Sequence, residues 1–179
     1  DHYLILVQQY IEEQSWYQFP AMAEGKFTVA PLARGEYNLN YLLTSADVRF
    51  VFRVNMGTQI ARDDQILYEY KTLQLLESSG VTPVPFFVDD SRRRIDRGIS
   101  IMEYLPGCPL DYHADLAGAA RSLAIVHQVE VDGAKNHLIV EQQPLSLIFD
   151  ECAGLLENYF SSDLADGDIR SFLLDVAAW

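Results

Sequence analysis

The sequence predicts an α+β fold, an antiparallel sheet with one prominent helix followed by a segment made of helices. Residues 48–54 alternate between apolar and other side chains and are rich in β-branched and aromatic types, which is typical of a strand. Residues 63–80 have the spacing of an amphipathic helix, with aspartates at the start and Gly80 at the end. After residue 107 the pattern is helical. Strands followed by a run of helices are typical of α+β chains.

The other elements follow from similar patterns in chain order. The predicted helices are residues 2–14, 63–80, 115–128, 146–160 and 168–178. The predicted strands are residues 26–31, 40–44, 48–54, 86–88 and 99–104. Gly35 and the stretch Ser45-Ala46-Asp47 indicate turns between the first three strands, because glycine and short polar residues favour tight turns. The charged residues 89–98 are expected to form an exposed hairpin loop.

A boundary is expected near residues 105–108, where the strand pattern gives way to helices and a proline-glycine pair interrupts regular structure. We therefore expect residues 1–105 to form a lobe that contains the sheet. Residues 106–179 are expected to begin a helical lobe. The chain starts without a methionine and ends in an apolar run, so both ends are expected to be cut.

The acidity of the chain limits its partners. Its net charge is −13, which argues against nucleic acid or an anionic membrane surface, because phosphates must be met by Lys and Arg. Eight acidic residues and one basic residue follow residue 140. This is compatible with a cationic substrate, although solvated helix faces are the usual reason. No apolar run approaches the roughly 18 residues of a membrane span. Two cysteines without metal-type spacing indicate a reduced, cytoplasmic protein.

One charged pair links the predicted sheet to the predicted helix. Arg53 lies at the end of a mostly apolar strand, and Glu69 lies in mid-helix on the arc that carries Ile66 and Leu73. A carboxylate that faces a core is costly unless a cation pairs with it. Arg53 is the strand cation placed to do so. We therefore predict a salt bridge between Arg53 and Glu69; a purely structural pair is the alternative to a functional one.

Two backbone segments complete the candidate site. The turn from Gly35 to Asn38 has amides that can cradle phosphates, and a plain hairpin is its alternative explanation. The strand Met102-Glu103-Tyr104-Leu105 runs out into a proline-glycine pair, which leaves backbone groups unpaired at its exit. An ordinary strand end is the alternative there.

This order of parts resembles the nucleotide-binding lobe of the aminoglycoside phosphotransferase and choline kinase family, the small-molecule relatives of protein kinases. The resemblance is clearest over residues 27–128. It implies that a strand cation contacts the phosphates of ATP and is oriented by a helix glutamate, roles that fall on Arg53 and Glu69. It also implies that the turn with Gly35 and Asn38 covers those phosphates.

The same resemblance assigns the adenine to backbone groups at Glu103 and Leu105, with Met102 at the back of the pocket. The chain departs from the protein-kinase pattern in having arginine where lysine is usual. Arginine is always charged and can bind two phosphate oxygens at once. Arg34 is a second departure, because it stands where a second glycine is common in the turn.

No catalytic residue is expected within the chain. His113-Ala114-Asp115 looks like the start of the family's catalytic loop, but that loop needs a Mg²⁺-binding asparagine at position 120, which is alanine here. The ligands of Mg²⁺ are therefore expected beyond Trp179. Asp166-Gly167-Asp168 has no strand before it and fits the first turn of the last helix.

The sequence thus predicts the ATP-binding portion of a phosphotransferase that, at full length, transfers the γ-phosphate of ATP to a hydroxyl of a small molecule, for which a cationic compound is one candidate. The chain alone is expected to be inactive. A non-catalytic kinase-like binding or regulatory module is the alternative. The apolar side chains of the last helix are expected to be exposed or to form a dimer contact. They are Phe172, Leu173, Val176 and Trp179.

Overall fold

The computed structural model describes residues 2–16, 19–23, 26–60, 62–133 and 136–177. The strands are β1 (Thr28–Arg34), β2 (Asn38–Ser45), β3 (Val48–Asn55), β4 (Pro85–Asp89) and β5 (Ile99–Glu103). The helices are α1 (His2–Glu13), α2 (Pro20–Ala23), α3 (Gln65–Leu76), α4 (Leu116–His127), α5 (Pro144–Phe160) and α6 (Gly167–Ala177). The predicted α+β class is confirmed.

The strands form one antiparallel sheet in the order β1-β2-β3-β5-β4. The first strand differs from its predicted span of residues 26–31, because it begins at Thr28 and continues through Pro31 to Arg34. Proline is tolerated there because β1 is an edge strand, where a missing N–H removes no necessary ladder bond. The register shifts between Pro31 and Ala33.

Two tight turns set the register of the first three strands. The β1–β2 turn closes with the Gly35 N–H donating to the Asn38 carbonyl at 2.9 Å. The β2–β3 turn consists of Ala46 and Asp47, with Ala46 at φ 49°. Both turns were predicted and are confirmed. The short β2–β3 turn places Asn40 of β2 directly opposite Arg53 of β3.

Helix α1 covers one face of the sheet. The Tyr10 ring packs against the rings of Phe52 and Phe87, with centroids 5.8 and 6.5 Å apart. The Tyr10 hydroxyl donates to Asp89 Oδ2 at 2.7 Å. Side chains alternate along a strand, so Arg53, next to Phe52, belongs to the other face. The core therefore lies between α1 and the sheet, and the face that carries Arg53 points away from it.

The loop between β4 and β5 is less exposed than the charged residues 89–98 predict. Its arginines are exposed, but Ile95 is buried and belongs to the core cluster. Gly98 at the end of the loop is also buried. A single apolar side chain thus anchors a loop whose composition is mostly charged.

Helix α3 ends at Gly80 as predicted, but the aspartate at its start does not cap it through its side chain. Asp64 occupies the N-cap position without a side-chain capping bond, because its carboxylate accepts two bonds of 2.8 Å from Arg62. A 3₁₀ turn, Glu77–Ser79, extends the helix, and Gly80 closes it in the left-handed conformation at φ 67°. Glycine adopts this conformation without the steric cost that a Cβ brings.

The chain divides into two compact units, the first ending at Leu138 and the second beginning at Ile139. Helix α4 lies in the first unit, and His127 at its end is exposed. In the second unit, Phe172 and Val176 are 65% and 57% exposed, as predicted. Leu173 is half-buried, and Trp179 lies outside the described residues.

The lobe boundary near residue 105 stays a prediction. In the described part of the chain, none of the helices has the length and apolarity that crossing a membrane requires.

Candidate functional site

Arg53 and Glu69 form the salt bridge that the sequence predicts. Arg53 Nη1 lies 2.9 Å from Glu69 Oε2. Strand β3 places Arg53 on the sheet face away from α1, and α3 projects Glu69 toward it. The two side chains are 28% and 25% exposed. The pair is therefore partly buried and still accessible to a ligand.

Two amide side chains orient this ion pair. Arg53 Nε donates to Asn40 Oδ1 at 3.1 Å, and Gln65 Nε2 donates to Glu69 Oε1 at 2.8 Å. Gln65 Oε1 in turn accepts the backbone N–H of Gln59 at 2.6 Å. Both partners are thus held before any ligand arrives, and a pre-ordered group loses less conformational freedom on binding.

Sequence reasoning missed Asn40 and Gln65, although each had a signal. The two-residue turn at Ala46 and Asp47 implies that Asn40 pairs with Arg53. Gln65 lies four residues before Glu69, hence on the same helix face. Gln65 is only 2% exposed, and the helical pattern alone gives no reason to expect a buried glutamine in the first turn.

A cavity of about 290 Å³ lies beside the ion pair, between α3 and the sheet. Met102, predicted for the back of a pocket, is buried and lines this cavity together with Arg53 and Glu69. The full lining is Arg53, Tyr68, Glu69, Thr72, Leu73, Pro83 and Met102. The structure thus brings three of the predicted site residues together.

The sheet face that carries Arg53 has a polar end and an apolar end. Near the β1–β2 turn its side chains are Asn38, Asn40, Arg53 and Asn55. Toward the exit of β5 they are Leu42, Val51 and Met102. Neighbours on one face of a strand are about 7 Å apart, so the two regions adjoin. Such a surface can hold a molecule with a flat apolar part and an anionic part.

Glu103 and Leu105 lie at the exit of β5, as predicted. The Glu103 N–H donates to the Val84 carbonyl at 2.8 Å, and its carboxylate accepts the Val84 N–H at 3.1 Å. Leu105 is 51% exposed, and its backbone N–H has no hydrogen-bond partner among the described residues. The amide of Leu105 is therefore available to a ligand, whereas that of Glu103 is not.

The backbone amides of the turn at Gly35 differ in their hydrogen bonding. The Gly35 amide is engaged with the Asn38 carbonyl and is not available to a phosphate. The amides of Glu36 and Tyr37 make no bond to the described residues. Asn38 Oδ1 accepts from Asn55 Nδ2 at 3.3 Å. Within this turn, the backbone amides of Glu36 and Tyr37 are therefore the ones that remain available to a ligand.

Charged groups flank the start of α3. The Asp64 carboxylate, hydrogen-bonded to Arg62, raises the pKa of Arg62, and the Arg62 guanidinium lowers the pKa of Asp64. The Arg62 guanidinium also lies over the Tyr68 ring, 5.5 Å from its centroid. Among the described residues, no three His, Cys, Asp or Glu side chains are grouped so that they could hold a metal ion.

A larger cavity, about 620 Å³, is formed near α1 and the β1–β2 turn. Its apolar lining includes Leu39 and Tyr41, which alternate with Asn40 and so belong to the face covered by α1. It includes Gly35 but none of Arg53, Glu69 or Met102. Of the predicted site residues, Arg53, Glu69 and Met102 line the cavity beside the ion pair, whereas Gly35 lines this larger one.

Solved structures share this fold. A choline kinase from Cryptosporidium parvum Iowa II has a TM-score of 0.61 at 15% sequence identity. The match covers 99% of this chain and 49% of the choline kinase chain. A protein of Ralstonia eutropha JMP134, assigned as an aminoglycoside phosphotransferase, has a TM-score of 0.58 at 18% identity, matching 86% of this chain and 47% of its own. The chain thus spans about half the length of these structures. No significant match was found among curated proteins.

The antiparallel sheet, the helix that carries Glu69 and the following helices define the fold of a kinase-like phosphotransferase. A model of the phosphotransferase enzyme family matches residues 28–152. The chain belongs to that family. The matched residues include the strand of Arg53, the helix of Glu69 and the exit of β5.

Proposed function

We propose that the chain forms the ATP-binding portion of a small-molecule kinase, which transfers the γ-phosphate of ATP to a substrate hydroxyl. The observation that supports this most strongly is the Arg53–Glu69 pair, at the cationic end of a sheet face whose other end is apolar. The purine lies on the apolar end in this proposal, and the phosphates lie at the cationic end.

Arg53 binds the phosphate oxygens. Its Nε and Nη1 are held by Asn40 and Glu69, while Nη2 has no hydrogen-bond partner among the described residues. The guanidinium is thus fixed in position while its Nη2 can still donate hydrogen bonds to an anion. Charge-assisted hydrogen bonds from arginine to phosphate are strong. Glu69 orients Arg53, and the loss of its charge would let the guanidinium swing away.

Backbone amides hold the two ends of the nucleotide. The Leu105 N–H donates to the adenine edge, with Met102 packed behind the ring. The amides of Glu36 and Tyr37 cover the phosphates from the β1–β2 turn. Mg²⁺ would neutralise the phosphate charge when bound, and we propose that its ligands and the catalytic base lie outside the described residues.

We propose a small alcohol that carries a positive charge as the substrate class, because the chain has a net charge of −13. Choline, the substrate named for one of the matched kinases, is such an alcohol. A cytoplasmic location is proposed as well, since Cys108 and Cys152 are free and exposed.

ATP titration of the chain tests the proposal. We expect a dissociation constant on the order of 0.1 mM or weaker, because few contacts are made without a metal. Arg53→Ala should weaken ATP binding about tenfold to a hundredfold, which is the value of a charged hydrogen bond. Adenosine, which lacks phosphates, should bind both proteins equally. Glu69→Ala should weaken ATP binding less than Arg53→Ala does.

Arg121→Ala on the exposed surface of α4 is the control for the loss of one positive charge. An affinity for ATP that is the same in the Arg53→Ala and Arg121→Ala proteins would refute the assigned role of Arg53. The second function predicted from the sequence, a kinase-like module without catalysis, binds ATP in the same manner. Phosphoryl transfer by the whole protein, and its absence from the chain alone, would favour the kinase.

A further inference from the structure

A histidine outside the predicted site contacts the helix that carries Glu69. His137 Nε2 lies 3.0 Å from Thr72 Oγ1 of α3. The imidazole also meets the Tyr68 ring edge to face, with centroids 5.3 Å apart and an interplanar angle of 69°. Tyr68 and Thr72 both line the cavity beside Arg53 and Glu69. His137 is thus in contact with the wall of the candidate ATP site without lining it.

The hydrogen bonds around Thr72 determine which group donates. The Thr72 hydroxyl donates its one proton to the Tyr68 carbonyl, one helical turn back, at 2.8 Å. With its proton on that carbonyl, the hydroxyl accepts a hydrogen bond from the imidazole, and this network assigns a proton to His137 Nε2.

The segment that carries His137 is itself ordered by hydrogen bonds. Asn136 Oδ1 accepts the Leu138 N–H at 2.8 Å, and Asn136 Nδ2 donates to the Asp132 carbonyl at 2.8 Å. His137 lies between Asp132 and Leu138, the two residues that Asn136 connects. The imidazole therefore contacts α3 from a turn that these hydrogen bonds hold in place.

Helix α3 is fully buried only in its first turn. Its buried residues are Gln65 and Ile66, both in the first turn, while the residues after them are half-buried or exposed. Beyond the first turn, the Arg53–Glu69 pair holds the helix from the sheet. His137 holds Thr72, three residues after Glu69, from the segment that follows α4. The two contacts act on the same turn of the helix from different elements.

We propose that His137 is a positioning residue, which fixes α3 so that Glu69 stays within bonding distance of Arg53. Its effect on nucleotide binding rests on the proposed function, whereas its effect on the ion pair does not. The chain segment after α4 is thereby coupled to the cation that binds phosphate.

The test measures the ion pair directly by NMR in the whole chain. Proton exchange at Arg53 Nη1, which donates to Glu69 Oε2, should accelerate about fivefold in His137→Ala, the equivalent of one ordinary hydrogen bond. His137→Gln, which keeps an N–H donor, should restore most of the protection. Thr72→Val should match His137→Ala, and the double variant should show no further acceleration. Nitrogen shifts of the imidazole should show Nε2 protonated in the wild type.

His127→Ala, at the exposed end of α4, is the control and should leave Arg53 exchange unchanged. Unchanged exchange in Thr72→Val and in folded His137→Ala would overturn the inference. ATP titration of the same proteins separates the two proposals. If no variant binds ATP but Arg53 exchange accelerates as stated, His137 positions the pair and the proposed function fails.

Discussion

Replacing Gly98 by alanine should displace α3 and weaken the site. A Cβ at this position would lie 2.4 Å from Ile66 Cγ2 and 2.8 Å from Asp90 Oδ1. Carbon atoms in contact are about 3.5–4.0 Å apart, so Ile66 must retreat by about 1 Å. Ile66 is buried and cannot swing into solvent. The Gly98 carbonyl is bonded to the Asn55 N–H at 2.9 Å, so the sheet side is held.

The helix is therefore the part that moves. Overpacking of this kind costs about 1–3 kcal/mol, and each kcal/mol lowers the melting temperature of a chain of this size by about 2–4 °C. Glu69 lies one turn after Ile66 and moves with it, so Arg53 loses part of its support. Thermal unfolding measures the first effect, and ATP titration measures the second.

Two companion variants make this test specific. A Cβ added at Gly133 would have no contact within 4 Å among the described residues, so Gly133→Ala should leave stability and ATP binding unchanged. Ile66→Leu removes the methyl group that clashes, so the double variant Gly98→Ala, Ile66→Leu should recover part of the lost stability. A Gly98→Ala protein as stable as Gly133→Ala, with the same ATP affinity as the wild type, would refute the claim that α3 depends on this close approach.

Two further predictions concern stability and association. Burial and the hydrogen bond to Asp89 raise the pKa of Tyr10, so the unfolded state loses a proton near pH 10 before the folded state does, and the melting temperature should fall as pH rises above 10. Tyr10→Phe should show a shallower fall; equal slopes in both proteins would contradict this. Phe172→Ser and Val176→Ser, at exposed sites of α6, should change the free energy of unfolding by about 0.5 kcal/mol or less. If α6 forms the predicted dimer contact, sedimentation should show weaker self-association in both variants, and unchanged association would exclude this contact.

The pairing of Arg53 with Glu69 shows what local pattern can achieve. Strand alternation predicts the sheet face on which Arg53 lies, and helical periodicity predicts the apolar side of α3 on which Glu69 lies. An unpaired carboxylate on that apolar side is costly, so Glu69 is expected to pair with a cation. Met102 was predicted differently, because the family resemblance, and not the local pattern, placed it at the back of a pocket. Its position in the cavity beside the pair agrees with that prediction.

Details that depend on two segments meeting were harder to predict. Gly35 seemed suited to bind phosphate, but its amide is used to close the turn itself. Ile95 lies in a charged loop, and only its contact with the core reveals it as an anchor. The site roles of all seven predicted residues remain predictions; they are Gly35, Asn38, Arg53, Glu69, Met102, Glu103 and Leu105.

By itself, the sequence determined the α+β class, the order of the elements and the salt bridge, because alternation, helical periodicity and the cost of burying charge act within short stretches of chain. Only the tertiary structure decided that Gln65 is buried, that Gly98 lies in close contact with Ile66 of α3 and that His137 reaches Thr72. The last of these contacts joins residues 65 positions apart. Such contacts are set by packing and strand register, which no local pattern encodes.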